Sequence, residues 1–163
     1  MSKPTIAHLS QAKYVLRYLK NTADYGLTFY KSSGSFSGYS DSDWGNITDR
    51  KSIAGYVFRF DNNSSPISWK SRKQNSVALS SCEAEYYAMS YAVQEAKCLR
   101  QLLCDMIGTE LQTVTLYIDN QSAIALAKNP VQHNRSKHID IRYHFLRDVN
   151  TQKCNFFNVY SFK

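Results

Sequence analysis

The chain has 163 residues, and its 20 lysines and arginines against 13 acidic residues give a net charge of +7. This length allows one ordinary domain, with or without an appendage, and is sufficient to bury a core. The four cysteines lack C-x-x-C spacing, which excludes a disulfide framework or a cysteine zinc site as the organising feature. The basic balance suggests a polyanionic partner, although the charge alone fits a protein without one equally well.

No leading apolar run resembles a signal peptide, and no stretch approaches the length needed to span a membrane. We therefore expect an intracellular protein, in the cytoplasm or the nucleus, that has no membrane partner.

The first half of the chain predicts one helix followed by strands. The helix covers residues 5–20, where the apolar side chains fall near one face and Lys13 is the poor fit. The small residues 32–35 form the only flexible-looking boundary in this half. Strands are expected at residues 26–30, 36–41, 53–60 and 66–70, with the polar residues 61–65 as the last turn.

The second half predicts helices interleaved with strands. The longest helix covers residues 81–107 and ends at Gly108, a typical C-terminal cap. A strand at 114–118, helices at 120–128 and 136–149, and a strand at 155–160 follow. From residue 36 onward, the order β-β-β-α-β-α-α-β predicts an α/β fold, with a mixed sheet and helices packed on it.

Three carboxylates lie where an apolar segment gives way to polar residues: Asp41, Glu85 and Asp119. Each could point into one shared pocket. Crowded carboxylates repel one another, and hard divalent cations offset that repulsion. Because two metals about 3.5–4 Å apart can cleave phosphodiesters, a metal-dependent nuclease is the first hypothesis.

Helix geometry separates two glutamates in the longest helix. Ser80 followed by Glu83 is typical of a capping box, in which the glutamate reaches back to the serine backbone N–H. Glu85 lies about 200° away around the helix. It begins the apolar stripe that continues through Ala88, Met89, Ala92, Ala96, Leu99, Leu103 and Met106. It is therefore either a partly buried acid paired with a cation or a metal ligand.

The two aspartates also have structural alternatives. Asp119 ends a strand at the edge where sites collect in open α/β sheets, but it also precedes a short helix and could be its N-cap. Asp41 and Asp43 share one face of their strand by alternation. Either could be a ligand, and either could be a plain turn acid.

Two basic stretches are weaker signals for nucleic-acid contact. Residues 133–138 contain His133, Arg135, Lys137 and His138, which predict a phosphate-contacting patch or a solvated charged face equally well. Residues 69–74 join Trp69 to three cations and could contact a nucleic-acid backbone. A strand end with solvating lysines explains them equally well.

Six motifs occur in an order that resembles one family: GYSDSDW at 38–44, DRKSIAGYVF at 49–58, SWKSRKQ at 68–74, VALSSCEAEY at 77–86, DNQSAIAL at 119–126 and KHIDIRYHF at 137–145. Together they resemble the ribonuclease H domain of copia-type LTR retrotransposon Pol polyproteins. Residues 12–20 are similar to the end of the reverse transcriptase that precedes this domain. The resemblance thus implies a connecting helix within residues 1–33 and a ribonuclease H-like domain over residues 34–163.

The resemblance also implies the site and its chemistry. The family's metal-binding acids correspond here to Asp41, Glu85 and Asp119. It implies a mixed five-stranded sheet flanked by helices, and hydrolysis of the RNA strand of RNA–DNA hybrids with Mg²⁺, or with Mn²⁺ in its place. Asn120 and Gln121 are candidate donors to 2′-hydroxyl groups. Arg135, Lys137 and His138 are candidate phosphate contacts.

One departure from the family keeps an alternative open. The family continues past the last strand into a helix whose aspartate is a fourth metal ligand, and this chain stops at Lys163 without it. Loss of that ligand should weaken one metal site and leave one sheet face partly bare. The alternative is a catalytically weakened or inactive module that binds nucleic acid or protein. A homodimer or a protein partner would then cover the shortened side.

Overall fold

The computed structural model describes residues 3–31, 36–45, 49–61, 64–108, 113–128, 145–146 and 157–161. Within these ranges the helices are α1 (Ile6–Asn21), α2 (Ser81–Ile107) and α3 (Gln121–Lys128). The strands are β1 (Phe36–Asp43), β2 (Ile53–Phe60), β3 (Pro66–Lys73), β4 (Val114–Ile118) and β5 (Phe157–Ser161).

The five strands form one sheet in the order β3-β2-β1-β4-β5. β1, β2 and β3 are antiparallel neighbours, whereas β4 pairs in parallel with both β1 and β5. A parallel neighbour requires a crossover connection, and α2 provides the helix between β3 and β4. The α/β fold with a mixed sheet that the element order predicts is confirmed, and β1 lies at its centre.

The hydrophobic core lies between α2 and one face of this sheet. Met89 and Val93 of α2 pack with Phe58, Leu116 and Ile118, and each of the five side chains is at most 1% exposed. α3 adds two further residues to the same core. The predicted stripe on α2 is buried as far as Ala96, but its far end at Met106 is 73% exposed. Because side chains alternate along a strand, the neighbours of the core residues face away from α2.

Both ends of α2 are defined by local chemistry. At its start the Ser80 side chain accepts a hydrogen bond from the Glu83 N–H at 3.1 Å. At its end Gly108 adopts φ of 70°, a left-handed conformation that suits glycine. Only one of the two hydrogen bonds of the predicted capping box forms, the one from the Glu83 N–H to the Ser80 side chain. The Glu83 carboxylate accepts from the Leu79 N–H at 2.8 Å instead of from the Ser80 N–H. The glutamate therefore anchors the residue before the cap.

The strand predicted at residues 26–30 is wrong. This segment is joined to the residue before β3 by two hydrogen bonds, in which the Thr28 N–H donates to Ser65 Oγ at 2.8 Å and the Ser65 N–H donates to Thr28 O at 3.1 Å. One such pair does not make a ladder, and the apolar side chains of the segment remain exposed. The predicted helix at 136–149 lies outside the described residues except for 145–146.

α1 forms as predicted, capped by the Thr5 side chain, yet none of its residues is buried. The proposed division between residues 33 and 34 falls in a stretch outside the described residues, so the two-part organisation stays a prediction. Among the described residues, no helix has the length and apolar character needed to cross a membrane. The three described cysteines, all in α2, form no disulfide with one another, and Cys154 lies outside the described residues.

Candidate metal centre

Strand register brings two of the predicted acids to the same edge of the sheet. Ser40 of β1 pairs with Ile118 of the parallel strand β4, so the next residues, Asp41 and Asp119, lie side by side. The second turn of α2 adds Glu85 from the core side. One carboxylate oxygen from each of these three residues lies within 4.8 Å of the others. The predicted triad is therefore a structural cluster.

Ser42 fixes the buried member of the cluster. Its backbone N–H donates to Glu85 Oε1 at 2.9 Å, and its hydroxyl donates to the same oxygen at 2.8 Å. The Ser42 N–H also approaches Asp41 Oδ1 at 2.8 Å. One residue thereby sets the position of two carboxylates. The sequence reasoning missed Ser42, although its place between two aspartates and its inward side by alternation were visible signals.

The environment of Glu85 opposes its negative charge. Its side chain is 5% exposed, and burial raises the pKa of its carboxyl to about 7. The hydrogen bonds from Ser42 act in the opposite direction, while the charges of Asp41 and Asp119 raise the pKa further. Without a cation, the cluster thus holds a proton near neutral pH.

The donor set fits a hard divalent cation. Within the described part of the chain, no hydrogen-bond donor reaches Glu85 Oε2, which is buried. A buried acceptor without a partner is costly, and a cation would provide one. Asp41 and Asp119 are exposed and leave the other side of the cluster open to water and to a ligand. Carboxylate oxygens open to solvent on one side suit Mg²⁺ or Mn²⁺.

The structure decides between the alternatives for the aspartates. Asn120, not Asp119, caps α3, because its Oδ1 accepts from the Ala123 N–H at 3.0 Å. The N-cap alternative for Asp119 is therefore wrong, and its carboxylate stays available. Asp43 is exposed and does not belong to the cluster, so Asp41 is the member of that pair on the site.

The candidate substrate contacts are only partly placed. Asn120 is half-buried and Gln121 is exposed, directly after Asp119. Arg135, Lys137 and His138 lie outside the described residues, so their role stays a prediction. The expected loss of the family's fourth acidic ligand likewise stays a prediction.

A groove adjoins the acidic cluster on the sheet face that points away from α2. It has a volume of about 510 Å³ and reaches Asp41 and Asp119 at one end. Its other walls include Tyr39, Val57, Trp69, Lys70, Ser71 and Tyr117. Of the basic stretch 69–74, Trp69 and Lys70 border this groove, whereas Lys73 pairs with Asp49 at 2.6 Å and Gln74 is buried.

Comparison with known sequences finds transposon relatives over most of the chain. It is 41% identical over 150 residues to the retrovirus-related Pol polyprotein from transposon TNT 1-94 of Nicotiana tabacum, and 39% identical over 150 residues to that from transposon RE1 of Arabidopsis thaliana. Each match covers 91% of this chain but only 11% and 10% of the relatives, so the chain spans about a tenth of their length. No protein-family model matches.

A shorter relative has a different description. The secreted RxLR effector protein 161 of Plasmopara viticola is 47% identical over 97 residues, which cover 58% of this chain and 67% of that protein.

Solved structures confirm the predicted ribonuclease H-like fold. A ribonuclease H1 isolated from compost superposes with a TM-score of 0.55 at 10% identity, covering 79% of this chain and 84% of that one. The ribonuclease H1 of Halobacterium salinarum gives 0.52 at 14% identity, covering 80% and 84%. A prototype foamy virus protease–reverse transcriptase gives 0.59 at 12% identity, covering 99% of this chain and 19% of that one.

Proposed function

The chain belongs to the copia-type family of retrovirus-related transposon Pol polyproteins, and from that premise we propose that it is a ribonuclease H. It would hydrolyse the RNA strand of RNA–DNA hybrids with divalent cations bound by Asp41, Glu85 and Asp119. The observation that carries the proposal is the convergence of three carboxylates within 4.8 Å at one sheet edge. A solved ribonuclease H1 with the same fold is described in complex with an RNA/DNA hybrid, with a TM-score of 0.54 at 11% identity.

The three acids would have distinct tasks. Asp41 and Asp119 border the groove and would present oxygens to cations beside a substrate phosphate. Glu85 would bind the cations from the core side. Ser42 keeps the Glu85 carboxylate in place. Bound divalent cations, Mg²⁺ or in its place Mn²⁺, would supply an activated water and stabilise charge on the leaving 3′ oxygen. Because burial disfavours the Glu85 anion, the proton must leave when a cation binds.

Recognition of a hybrid would depend on neighbours of the acids. Asn120 and Gln121 follow Asp119 directly and could reach 2′-hydroxyl groups of the RNA strand across a shallow minor groove. In Asn120 the Oδ1 atom caps α3, so the side-chain amide N–H group is the donor left for RNA. Arg135, Lys137 and His138 would contact phosphates, in keeping with a net charge of +7.

A second candidate function is binding without cleavage. The effector relative from Plasmopara viticola shows that related sequence occurs in a protein with another description. In such a module the fold would persist while the acids no longer turn over substrate, and nucleic acid or a protein would be the ligand.

Cleavage of a labelled RNA–DNA hybrid in Mg²⁺, and then in Mn²⁺, tests the proposal. We expect the RNA strand to be cut and the DNA strand to survive. Asp119→Asn should abolish cutting and leave hybrid binding nearly intact, because it removes one negative ligand without changing the fold. Asp43→Asn is the matched control, since Asp43 lies on the same sheet edge but outside the cluster.

Three outcomes separate the alternatives. Cleavage that persists at the wild-type rate in Asp119→Asn would contradict the assigned site. Equal loss of binding and cleavage in that variant would make the residue structural. Binding of the hybrid by the wild-type chain in both metals, without any cleavage, would favour the binding module.

A further inference from the structure

A cleft on the α2 side of the sheet lies between β3 and α2, and we call it the edge cleft because β3 is the outermost strand there. Its volume is about 160 Å³, and its walls include Lys70 and Arg72 of β3 and Tyr91 and Glu95 of α2. None of the three clustered acids borders it. The volume equals that of about five water molecules in the liquid, which is room for a small polar group such as a phosphate.

The two cations of the edge cleft have no acidic partner among the described residues. Lys70 and Arg72 are both exposed, and neither forms an ion pair there. The neighbouring Lys73 differs, because it pairs with Asp49. Like charges close together repel each other, and a bound anion offsets that repulsion. The edge cleft therefore holds two positive charges that are available to a ligand.

Tyr91 of α2 holds the Arg72 side chain in place. The Arg72 guanidinium lies over the Tyr91 ring, 5.4 Å from its centre, and the ring is half-buried. Such stacking uses the flat face of the guanidinium and leaves the N–H groups along its edge free. Those N–H groups bind phosphate oxygens in pairs. Arg72 is thus oriented for an anion before any ligand arrives.

Glu95 also borders the edge cleft, and two hydroxyl groups donate to its oxygens. The Tyr56 hydroxyl donates to Oε2 at 3.1 Å, and the Ser68 hydroxyl donates to Oε1 at 2.7 Å. Burial raises the pKa of Tyr56 to about 12, so this hydroxyl keeps its proton and remains a donor. One acid against two cations leaves the walls of the edge cleft with a net positive charge. An anion is therefore the ligand that this charge favours.

Strand register places Arg72 to the side of the acidic cluster. Ser42, which holds Glu85, pairs with Ala54. Ala54 in turn pairs with Arg72, so two strand spacings, or about 10 Å, separate the backbones of Ser42 and Arg72. Duplex nucleic acid carries roughly one phosphate charge for every 2 Å of its axis, counted over both strands. A duplex with one phosphate at the cluster therefore has further phosphates within reach of Arg72.

We propose that Arg72 and Lys70 form a phosphate-binding subsite that holds the backbone of the RNA–DNA hybrid beside the metal centre. This inference rests on the proposed function, because the hybrid is what brings phosphates to this end of the sheet. Arg72 binds a phosphate through paired N–H groups, and Lys70 adds a point charge. Because phosphate contacts carry no base sequence, the subsite positions a hybrid without selecting its sequence. Both residues act on binding, and neither touches the reacting phosphate.

Salt titration of hybrid binding tests the subsite without any cleavage. The fluorescence anisotropy of a labelled hybrid in EDTA gives the dissociation constant over a range of NaCl concentrations. Arg72→Gln should weaken binding about tenfold at low salt. It should also lower the slope of log Kd against log salt concentration by about one, because one phosphate contact is lost. Arg72→Lys keeps the charge and should keep the wild-type slope, and circular dichroism checks that both variants fold.

Lys97→Gln is the matched control, because it removes the same charge from another part of the surface. The Lys97 ammonium lies over the Phe145 ring at 5.8 Å, and Lys97 is about 18 Å beyond Glu85 along α2. This variant should keep the wild-type slope. In a cleavage assay, Arg72→Gln should raise KM about tenfold and leave kcat within about twofold of wild type, because it removes binding and not chemistry.

The outcomes separate the subsite from the proposed nuclease. Equal slopes for wild type and Arg72→Gln would make the cations ordinary solvated charges of an edge strand, and an equal loss in Lys97→Gln would reflect net charge alone. Saturable binding of inorganic phosphate that Arg72→Gln abolishes, with unchanged hybrid slopes, would assign the edge cleft to a free phosphate. Each of these results, or a wild-type chain that does not bind the hybrid, would overturn the subsite. A wild-type chain that binds with the expected slopes but does not cut would support the subsite and contradict the nuclease.

Discussion

Burial of the Glu85 carboxylate lowers the stability of the fold, and the same carboxylate is a candidate ligand for a cation. It sits at the start of the apolar stripe of α2, and its burial holds the pKa of the carboxyl near 7. Ser42 offsets part of that cost with two donors to one oxygen. The second oxygen, Oε2, has no donor within the described residues. A buried acceptor kept without a partner beside two other acids is consistent with selection for a cation rather than for stability.

The pH dependence of stability follows from this pKa. Between the ordinary carboxyl pKa of 4.5 and about 7, the folded protein binds more protons at Glu85 than the unfolded chain. The free energy of unfolding of the metal-free protein should therefore fall as pH rises through that window. Glu85→Gln keeps the shape and cannot ionise, so we expect it to lose this fall. Thermal unfolding of both proteins in EDTA between about pH 5 and pH 8 measures how their stability changes with pH.

Added Mg²⁺ provides the control for that experiment. At the alkaline end it should raise the melting temperature of the wild-type protein, because the cation binds only the folded state, and leave Glu85→Gln nearly unchanged. Identical pH slopes for the two proteins would show that Glu85 titrates as an ordinary surface acid.

The acids could be singled out from the sequence, but their partners could not. Helical spacing separated Glu85 from Glu83, and the change from apolar to polar residues marked Asp41 and Asp119. Which of Asp119 and Asn120 caps α3, and that Ser42 holds Glu85, depends on side-chain geometry between elements far apart in the chain. Alternation can place Ser42 on the inward side of β1, but it does not show which distant side chain Ser42 contacts. The family resemblance, rather than periodicity, resolved the choice between Asp41 and Asp43.

At the scale of elements, strands and helices with clear periodicity and caps were predictable. The bounds of β2, β4 and α2 agree with the expectation to the residue. The segment at 26–30 was misassigned because its residues favour a strand, whereas the structure joins it to the sheet side only through the two hydrogen bonds between Thr28 and Ser65. Strand tendency depends on neighbours that the sequence does not show, which is why this one extended segment was misassigned.

The contact between β1 and β2 gives a prediction about packing. A Cβ added at Gly38 would meet the ring of Phe58, which is fully buried. Gly38→Ala should thus lower the free energy of unfolding by about 1–3 kcal/mol through overpacking. Urea unfolding measures the change. Gly26→Ala is the matched control, because nothing lies within 4 Å of the added atom. Equal stability of both variants would mean that the core can absorb the extra methyl.

At the scale of the whole molecule, α1 and the sheet domain should be separable. No α1 residue is buried, and the division into residues 1–33 and 34–163 stays a prediction. A chain beginning at Asp24 should unfold within about 2 °C of the full chain when both are measured at low concentration, where self-association does not contribute. Differential scanning calorimetry provides the comparison. A drop of many degrees would show that α1 belongs to the same cooperative unit.

The central claim is that Asp41, Glu85 and Asp119 bind a divalent cation together, and calorimetric titration with Mn²⁺ tests it most directly. We expect saturable binding to the wild-type chain at about pH 6.5, where Glu85 is still mostly protonated, with release of a proton from Glu85. Binding should be lost in Asp41→Asn and kept in Asp43→Asn. Equal Mn²⁺ affinity in all three proteins would contradict the assigned centre and, with it, the proposed nuclease.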